Sequence, residues 1–309
     1  HCIGQYPIPA KRTDELKRIC NDKPIIYLSG TPTPESYAQM FHQFYVSSFS
    51  PFLEYKNFYA WHKNYGIPKK KYIYNREIAD YSNVRYDLLK PIIEKYMISF
   101  SQVDAGFTEF VEEEIINLPM PSKVKWAIDT LKRDKVFTTK AGNVILGDTA
   151  VKEMQKVHQI CGGTLKDEDG NRFIFNDTKA NYIRDNFKGK KIAIFYKFVA
   201  EGMQLQVTFA GRIFTDPMEF NKAGNNAVFI SQIQSGREGI NISSADCLIM
   251  YNIDFSALSY WQSRARLQTK DRKEKAMVYW LFFEGGIEQK IYNVVQGKKD
   301  YTLNHYRRE

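Results

Sequence analysis

Four apolar runs in the second half of this 309-residue chain limit the folds open to it more than any other feature. They read KKIAIFY (190–196), VFISQ (228–232), CLIMY (247–251) and AMVYWLFF (276–283), and helix-like segments separate them. A run that is apolar at successive rather than alternate positions is typical of a strand buried on both faces of a parallel sheet. The pattern therefore predicts an α/β fold with a central, mostly parallel sheet.

A further run of this kind, KPIIYLSGT (23–31), lies near the start of the chain and predicts another buried parallel strand. The polar stretch SFSQVDAGFTEF (99–110) separates it from the other four runs. An excess of basic residues also ends near this stretch. These changes favour a domain boundary near residues 96–112, and we divide the chain into residues 1–95 and 96–309.

The net charge of the chain is +9, and its basic excess lies in residues 1–95 and 262–309. A polyanion such as nucleic acid is a natural partner for two basic regions, because each neutralised phosphate releases counterions. Lys69, Lys70 and Lys71 lie among tyrosines, which suits contact with a nucleic-acid backbone together with base stacking. A solvated, solubilising surface explains the same charges equally well.

Composition excludes several classes of protein. No apolar stretch approaches the roughly 20 residues of a membrane span, and the first residues lack the pattern of a secretion signal. The four cysteines lie far apart, as expected of reduced thiols, and the five histidines show no ligand spacing. We therefore expect a cytoplasmic protein without a metal site. Trp126, Trp261 and Trp280 lie in amphipathic or apolar runs and are predicted to pack in the core.

The loop SGREGIN (235–241) follows one apolar run and precedes another. Loops at the carboxyl ends of parallel strands carry the polar groups that bind ligands. Gly236 and Gly239 would let the backbone approach a phosphate or sugar, while Glu238 and Asn241 would offer fixed polar groups. A plain turn whose glycines supply positive φ angles explains the loop as well.

The segment YWQSRARLQT (260–269) is predicted to be helical. On a helix, Gln262 and Arg266 share one face, whereas Arg264 points elsewhere. An arginine fixed beside a nucleotide neutralises the charge that develops on the transferred phosphoryl oxygens. A solvated helix face is the alternative if the segment is considered alone.

Taken in order, these segments resemble a known group of enzymes. KKIAIFYKF (190–198), FISQIQSGREGINISSADCLIMY (229–251) and YWQSRARLQT resemble motifs IV, V and VI of superfamily 2 helicases, especially Swi/Snf-type translocases and their bacteriophage relatives. LSGTPTPES (28–36) resembles motif III of the same group. The resemblance implies two RecA-like lobes, with ATP and Mg²⁺ bound between them and nucleic acid running across both.

The resemblance also implies roles for individual residues. It assigns catalysis to Arg266, Gln262 and Arg264. It assigns ATP binding, and the coupling of ATP binding to nucleic acid, to Gly236, Glu238, Gly239, Asn241, Ser29, Gly30 and Thr31. It assigns contact with nucleic acid to Lys197, Lys69, Lys70 and Lys71. Two positions depart from the family pattern. Arg237 replaces a usual glycine, and Thr269 replaces the second arginine of motif VI. Either Arg266 is the arginine finger with Arg264 in support, or Arg272 reaches in from the next turn.

The chain lacks two motifs that such enzymes need. It contains neither the phosphate-binding loop G-x-x-x-x-G-K-[ST] nor a D-E-x-H box. His1 stands where the last residue of that box is expected. Residues 1–95 are then the remainder of lobe 1, residues 96–309 are lobe 2, and this fragment is expected to be inactive as an ATPase.

The predicted function is that of a DNA-stimulated ATPase that moves along duplex or branched DNA as a monomer, in the host cytoplasm if a phage encodes it. The alternative is a non-catalytic nucleic-acid-binding module that retains the lobe 2 platform.

Overall fold

The structure is a computed structural model that describes residues 4–29, 32–33, 36–73, 76–98, 111–139, 141–236, 239–267, 275–297 and 300–306. The chain forms two compact units, His1–Ser101 and Gln102–Glu309. No helix among these residues is both long enough and apolar enough to cross a bilayer.

The first unit is mainly helical within its described residues. Its elements are α1 (Lys11–Cys20), α2 (Gln39–Tyr45), α3 (Phe58–Tyr65), β1 (Lys69–Ile73), β2 (Arg76–Asp80) and α4 (Tyr86–Ile93). Strands β1 and β2 form an antiparallel hairpin. Phe41, Phe52, Phe58 and Trp61 pack as a buried aromatic cluster, against which Leu89 of α4 closes the core.

The strand predicted over residues 23–31 is not present in the described part of that segment. Residues 24–29 are irregular, and the side chains of Ile26 and Leu28 are 89% and 93% exposed. A parallel strand needs neighbours to pair its backbone groups. The two strands in the described part of this unit, β1 and β2, pair with each other. The prediction of a buried strand here was therefore wrong.

The second unit alternates strands and helices. Its elements are β3 (Val111–Leu118), α5 (Ser122–Asp134), β4 (Val136–Thr138), β5 (Val144–Leu146), α6 (Ala150–Cys161), β6 (Thr164–Lys166), β7 (Arg172–Ile174), α7 (Thr178–Asn186), β8 (Ile192–Tyr196), α8 (Val199–Thr208), β9 (Ile213–Phe214), α9 (Pro217–Lys222), β10 (Val228–Gln232), α10 (Ile233–Gly236), β11 (Cys247–Met250), α11 (Ala257–Arg264), a 3₁₀ turn (Ala265–Leu267), β12 (Ala276–Phe283), α12 (Ile287–Gln296) and α13 (Leu303–Tyr306).

Six of these strands form the central sheet, in the order β3-β12-β11-β8-β10-β9. All five neighbouring pairs are parallel. Every residue of β11 is buried, as expected for a strand covered on both faces. Two short antiparallel hairpins, β4–β5 and β6–β7, flank helix α6. The predicted α/β fold with a central parallel sheet is confirmed.

The three tryptophans predicted to lie in the core differ in burial. Trp280 on β12 is fully buried and Trp261 on α11 is partly buried, but the side chain of Trp126 on α5 is 53% exposed. The buried face of α5 carries Val124, Ala127, Ile128 and Leu131 at helical spacing. Trp126 lies off this stripe and packs its ring edge-on against Phe137 instead. The prediction for Trp126 was wrong because helical phase, not apolar character, decides burial.

A buried ion pair joins two helices of the second unit. The Lys179 ammonium on α7 lies 2.8 Å from the Glu288 carboxylate on α12, and their side chains are 1% and 0% exposed. The ammonium also donates to the carbonyl oxygen of Tyr251 at 3.2 Å. Such a pair contributes little to the free energy of folding in comparison with apolar residues of similar volume at the same positions. Each charge nevertheless depends on the other, because neither has access to water.

Removing one partner of the Lys179–Glu288 pair should destabilise the second unit, because the remaining charge stays buried without its counter-charge. We expect Glu288→Leu and Lys179→Met each to lower the free energy of unfolding by about 3–5 kcal/mol in urea denaturation. The double substitution should cost clearly less than the sum of the single ones, since no unpaired charge is left.

The exposed pair Lys125–Asp129 on α5 is the matched control, with side chains that are 69% and 56% exposed. Lys125→Met should change the free energy of unfolding by about 1 kcal/mol or less. Substitutions at Lys179 and Glu288 that cost no more than this control would contradict the expected dependence.

Candidate functional site

The carboxylate of Asp254, just after β11, joins the segments that resemble motifs IV and V to the start of α11, the helix that leads into motif VI. Its Oδ1 lies 2.6 Å from the ammonium of Lys197, which directly follows β8. Its Oδ2 accepts hydrogen bonds from Ser259 Oγ on α11 at 2.8 Å and from Gln234 Nε2 on α10 at 3.3 Å. Sequence analysis did not single out Asp254, because its partners lie in segments well separated along the chain.

Burial alone would raise the pKa of Asp254, but the Lys197 ammonium and the hydrogen bonds from Lys197 and Ser259 hold it below its ordinary value. Asp254 is therefore ionised at neutral pH and neutralises Lys197. The Lys197 side chain is 19% exposed, and its carbonyl oxygen accepts from Gln232 Nε2 at 2.9 Å. Contact between Lys197 and nucleic acid stays a prediction. In such a contact, the nucleic acid would share the Lys197 ammonium with Asp254.

The other predicted nucleic-acid contacts belong to the first unit. Lys69 and Lys70 are exposed on β1, and Lys70 pairs with Glu77 across the hairpin. The side chain of Lys71 lies outside the described residues. The hairpin therefore presents at least two ammonium groups to solvent.

The segment that resembles motif III also lies in the first unit. Ser29 is exposed at the end of the irregular stretch 24–29, and Gly30 and Thr31 lie outside the described residues. Close by, Gln43 on α2 donates a hydrogen bond to the carbonyl oxygen of Pro32 and attaches this segment to the helical core. The roles predicted for Ser29, Gly30 and Thr31 stay predictions.

A steric constraint explains the first glycine of SGREGIN, and a backbone conformation explains the second. Gly236 ends α10 and is buried, and a Cβ atom there would lie 2.7 Å from the ring of Phe195 in the core. Gly239 has a φ of 74°, which favours glycine, and a Cβ there would meet nothing within 4 Å. Arg237 and Glu238 lie outside the described residues. Close approach of a ligand to these glycines stays a prediction.

Asn241, the last residue of SGREGIN, stabilises its own turn. Its Oδ1 accepts from the backbone N–H of Ser243 at 2.9 Å, and its carbonyl oxygen accepts from Asn221 Nδ2 at 2.9 Å. The side chain is exposed. This is the arrangement of an asparagine turn, and a part in nucleotide binding would have to be added to it.

Helix α11, which packs against α10, carries Gln262 and Arg264, two of the three residues predicted to be catalytic. The helix starts after Ser256, whose hydroxyl accepts from the backbone N–H of Ser259. Arg264 at its end forms an ion pair with Glu113 of β3, with Nη2 and Oε1 3.0 Å apart. The guanidinium of Arg264 also lies 4.9 Å over the ring of Trp261. Its charge is thus neutralised within the unit.

Arg266 differs from Arg264 in its surroundings. It lies in the 3₁₀ turn after α11, and its buried Nε has no hydrogen-bond partner among the residues the structure describes. Burial lowers the pKa of its guanidinium, although the group stays protonated at any ordinary pH. Thr269 and Arg272 lie outside the described residues. Within the described part of this segment, the Nε–H of Arg266 is a buried donor without an acceptor.

Behind the Asp254 cluster lies a chain of three buried polar side chains. His158 Nε2 is 2.7 Å from Asn252 Oδ1, and Asn252 Nδ2 donates to Glu201 Oε1 at 2.5 Å. The backbone N–H groups of Lys197 and Phe198 donate to Glu201 Oε2, both at 2.8 Å. Because the amide nitrogen of Asn252 faces Glu201, its oxygen must accept from His158, so the imidazole carries its proton on Nε2.

Burial sets the charge of both ends of this chain. It lowers the pKa of His158 to about 4 and raises the pKa of Glu201 to about 7. The charges nearest His158 are Glu288, Lys197 and Asp254. At pH 7 the imidazole is neutral and the carboxyl group is close to its midpoint.

Among the described residues, no three His, Cys, Asp or Glu side chains lie together in a way that could hold a metal ion. In open α/β sheets, ligands bind outside the carboxyl ends of the strands. Lys197 and Asp254 follow the carboxyl ends of β8 and β11. No protein-family model matches the sequence.

Individual proteins do match. The chain is 32% identical over 78 residues to the Chromodomain-helicase-DNA-binding protein 3 homolog of Caenorhabditis elegans, which is 25% of this chain and 4% of that protein. It is 23% identical over 185 residues to the SWI/SNF-related matrix-associated actin-dependent regulator of chromatin subfamily A containing DEAD/H box 1 homolog of Drosophila melanogaster, covering 52% and 21%. It is 34% identical over 73 residues to Chromatin-remodeling ATPase INO80 of Cryptococcus neoformans, covering 24% and 4%.

Among solved structures, the C-terminal part of the Fun30 ATPase domain aligns with a TM-score of 0.46 and 12% identity, covering 64% of this chain and 92% of that one. The chain thus spans between 4% and 21% of the length of the three curated relatives. The similarity of the chain to these three curated relatives supports its resemblance to Swi/Snf-type helicase ATPases.

His158 and Glu201 should give the second unit two opposite dependences of stability on pH. The folded pKa of His158 lies below its ordinary 6.5, so its contribution is complete above pH 6.5 and is lost as pH falls towards 4. The folded pKa of Glu201 lies above its ordinary 4.5, so its contribution is complete below pH 4.5 and is lost as pH rises through 7. Each change is on the order of 3 kcal/mol.

Two nearly isosteric variants separate these contributions in urea denaturation between pH 4 and 8. His158→Gln keeps an amide donor for Asn252 and should reduce the loss on the acid side, of which Asp254 causes a further part. Glu201→Gln keeps an acceptor for the backbone and should remove the loss on the alkaline side. Wild-type and variant profiles that run parallel would show that neither group has a shifted pKa in the folded protein.

Proposed function

We propose that the chain is part of an ATP-dependent translocase on double-stranded or branched DNA, with the second unit as its second RecA-like lobe and the first unit as the end of its first lobe. The similarity to Swi/Snf-type helicase ATPases and the parallel α/β sheet of the second unit support this proposal.

Arg266 carries the proposal. A buried guanidinium N–H without an acceptor costs free energy, and an anionic oxygen would remove that cost. The planar, permanently charged guanidinium suits phosphate oxygens, which present acceptors at matching spacing. Gln262 is partly exposed on α11, four residues before Arg266, and the resemblance assigns both residues to motif VI. We assign Arg266 as the finger and Gln262 as its neighbour in nucleotide contact.

ATP held against this face would supply the phosphoanhydride bond whose cleavage drives movement. Arg266 would neutralise charge on the terminal phosphate, and α10 and α11, tied together through Asp254, would hold that arginine in place. We assign no Mg²⁺ ligand to the described residues, which hold no cluster that could bind a metal.

DNA is the proposed partner because the chain carries a net charge of +9 and presents Lys69 and Lys70 on an exposed hairpin. The same observation favours a second candidate function, a nucleic-acid-binding platform without ATPase activity. The two candidates differ in one measurable property: only the translocase hydrolyses ATP faster when DNA is present.

In the intact protein, Arg266→Ala should lower DNA-stimulated ATP hydrolysis by about a thousandfold or more, the usual contribution of an arginine finger. The steady-state rate of phosphate release is measured with single-stranded and with double-stranded DNA. Arg184→Ala is the control, because Arg184 is exposed on α7 and pairs with Asp185. It should leave the rate unchanged.

The 309-residue chain alone should release no phosphate above background, because its sequence contains no G-x-x-x-x-G-K-[ST] loop. An intact protein that binds DNA in a salt-sensitive way but does not hydrolyse ATP would favour the platform. Full activity of the Arg266→Ala variant would remove Arg266 from the mechanism.

A further inference from the structure

The carboxylate of Glu113, like that of Asp254, joins several elements of the second unit. It lies at the edge of the central sheet. Oε1 pairs with Arg264 at 3.0 Å, and both oxygens lie 3.0 Å from the hydroxyl of Tyr260, which donates to the carboxylate. Oε2 also accepts from Trp280 Nε1 at 2.8 Å and from the Tyr292 hydroxyl at 3.4 Å. Donors from α11, β12 and α12 thus converge on one side chain of β3.

Aromatic rings enclose this carboxylate. Tyr260 stacks on Trp280 with ring centroids 5.3 Å apart, and Tyr292 meets both rings edge-on at 5.6 and 5.4 Å. Burial first, and the Glu113 charge next, raise the pKa of Tyr260 far above its ordinary value. The phenol therefore stays protonated and remains a donor. The glutamate side chain is 11% exposed, so this ion pair is screened from water far more than a surface pair.

Two of the four donor groups come from α11 itself. Tyr260 and Arg264 are four residues apart and face the sheet together. Arg266 follows two positions later in the 3₁₀ turn, where its side chain lies roughly 200–240° around the axis from Arg264. Fixing Tyr260 and Arg264 against Glu113 therefore turns Arg266 away from the sheet edge. The rotation of α11 about its axis and the direction of Arg266 are coupled.

We propose that Glu113 is a positioning residue for nucleotide hydrolysis: it fixes α11 through Arg264 and Tyr260, so that Arg266 faces the phosphate. Arg264 then holds the helix in place and is not a finger. The inference rests on the proposed function, since it assigns the residue that orients the proposed finger.

The test uses Glu113→Gln and Arg264→Gln in the intact protein, with ATPase kinetics in saturating DNA. Each variant should lower kcat roughly tenfold to a hundredfold, as expected when a catalytic group is misplaced by about 1 Å. KM for ATP should stay within about twofold, because a displaced finger weakens transition-state stabilisation more than ground-state binding. The double variant should be no slower than either single one, since both changes release the same helix.

Glu112→Gln is the matched control. Glu112 is the preceding residue of β3, faces the opposite side of the sheet, and forms an exposed pair with Lys275. It should leave kcat unchanged. Rates are expressed per folded molecule, with the folded fraction taken from circular dichroism, so that a loss of stability does not count as a loss of catalysis.

A second readout does not depend on activity. In the 309-residue chain labelled with ¹⁵N-arginine, hydrogen exchange at the buried Arg266 Nε–H should accelerate in Glu113→Gln and stay unchanged in Glu112→Gln. Unchanged exchange in Glu113→Gln, or an unchanged kcat in an active enzyme, would overturn the positioning role. If neither single variant folds, Glu113 is a folding residue and the proposal fails.

The two readouts separate the proposals. An intact wild-type protein without ATPase activity would defeat the proposed function, while faster exchange at Arg266 in Glu113→Gln would still establish the coupling between Glu113 and the arginine. An active wild type with an unaffected Glu113→Gln variant would leave the function standing and remove the positioning role.

Discussion

Burial of the central strands on both faces is the constraint on which the second unit depends. Every residue of β11 is buried, and helices cover the sheet on either side, so a polar side chain that enters this interior must find its partner there. The acidic groups follow this rule: Glu288 meets Lys179, Asp254 meets Lys197, and Glu113 meets Arg264. The parallel sheet thus determines where charges are allowed as well as how the strands pair.

These carboxylates connect elements that hydrophobic packing alone would leave free to rotate or slide. Apolar contact is non-directional, whereas a carboxylate that accepts from several donors fixes distances and angles at once. Asp254 joins α10 to α11 through hydrogen bonds, and Glu113 joins α11 to the edge of the sheet in the same way. Helix α11 is therefore held at two points, near its start and near its end. Arg266 lies just beyond the second point, and its orientation depends on both points of attachment.

The sequence predicted four strands of the central sheet, β8, β10, β11 and β12, because continuous apolar runs have few interpretations once helices separate them. The short strands β4 to β7 and β9 were not predicted. The sequence failed at residues 24–29, where a similar run lies exposed, since composition does not reveal whether neighbouring strands exist. It also failed at Trp126, whose exposure depends on the helical phase of α5. Gly236 shows a different limit: the sequence suggested ligand approach, but the ring of Phe195 already excludes a side chain there.

The ion pair of Arg264 could not be predicted from the sequence, because its partner lies on β3, far away along the chain. One signal for that partner was present. VEEEIINL has three successive glutamates, and strand alternation places Glu113 on the same face as Val111 and Ile115, apart from Glu112 and Glu114. A charged residue in register with apolar neighbours on a buried face indicates a buried partner.

The position of β3 along the chain has a mechanical consequence. β3 is the first element in the described part of the second unit, and among the described strands of the central sheet it pairs with β12 alone, along its whole length. Separation of β3 from the central sheet would therefore break a single strand pairing. The same separation would remove Glu113 from Arg264 and Tyr260, so the fixation of α11 depends on an edge strand that one neighbour holds.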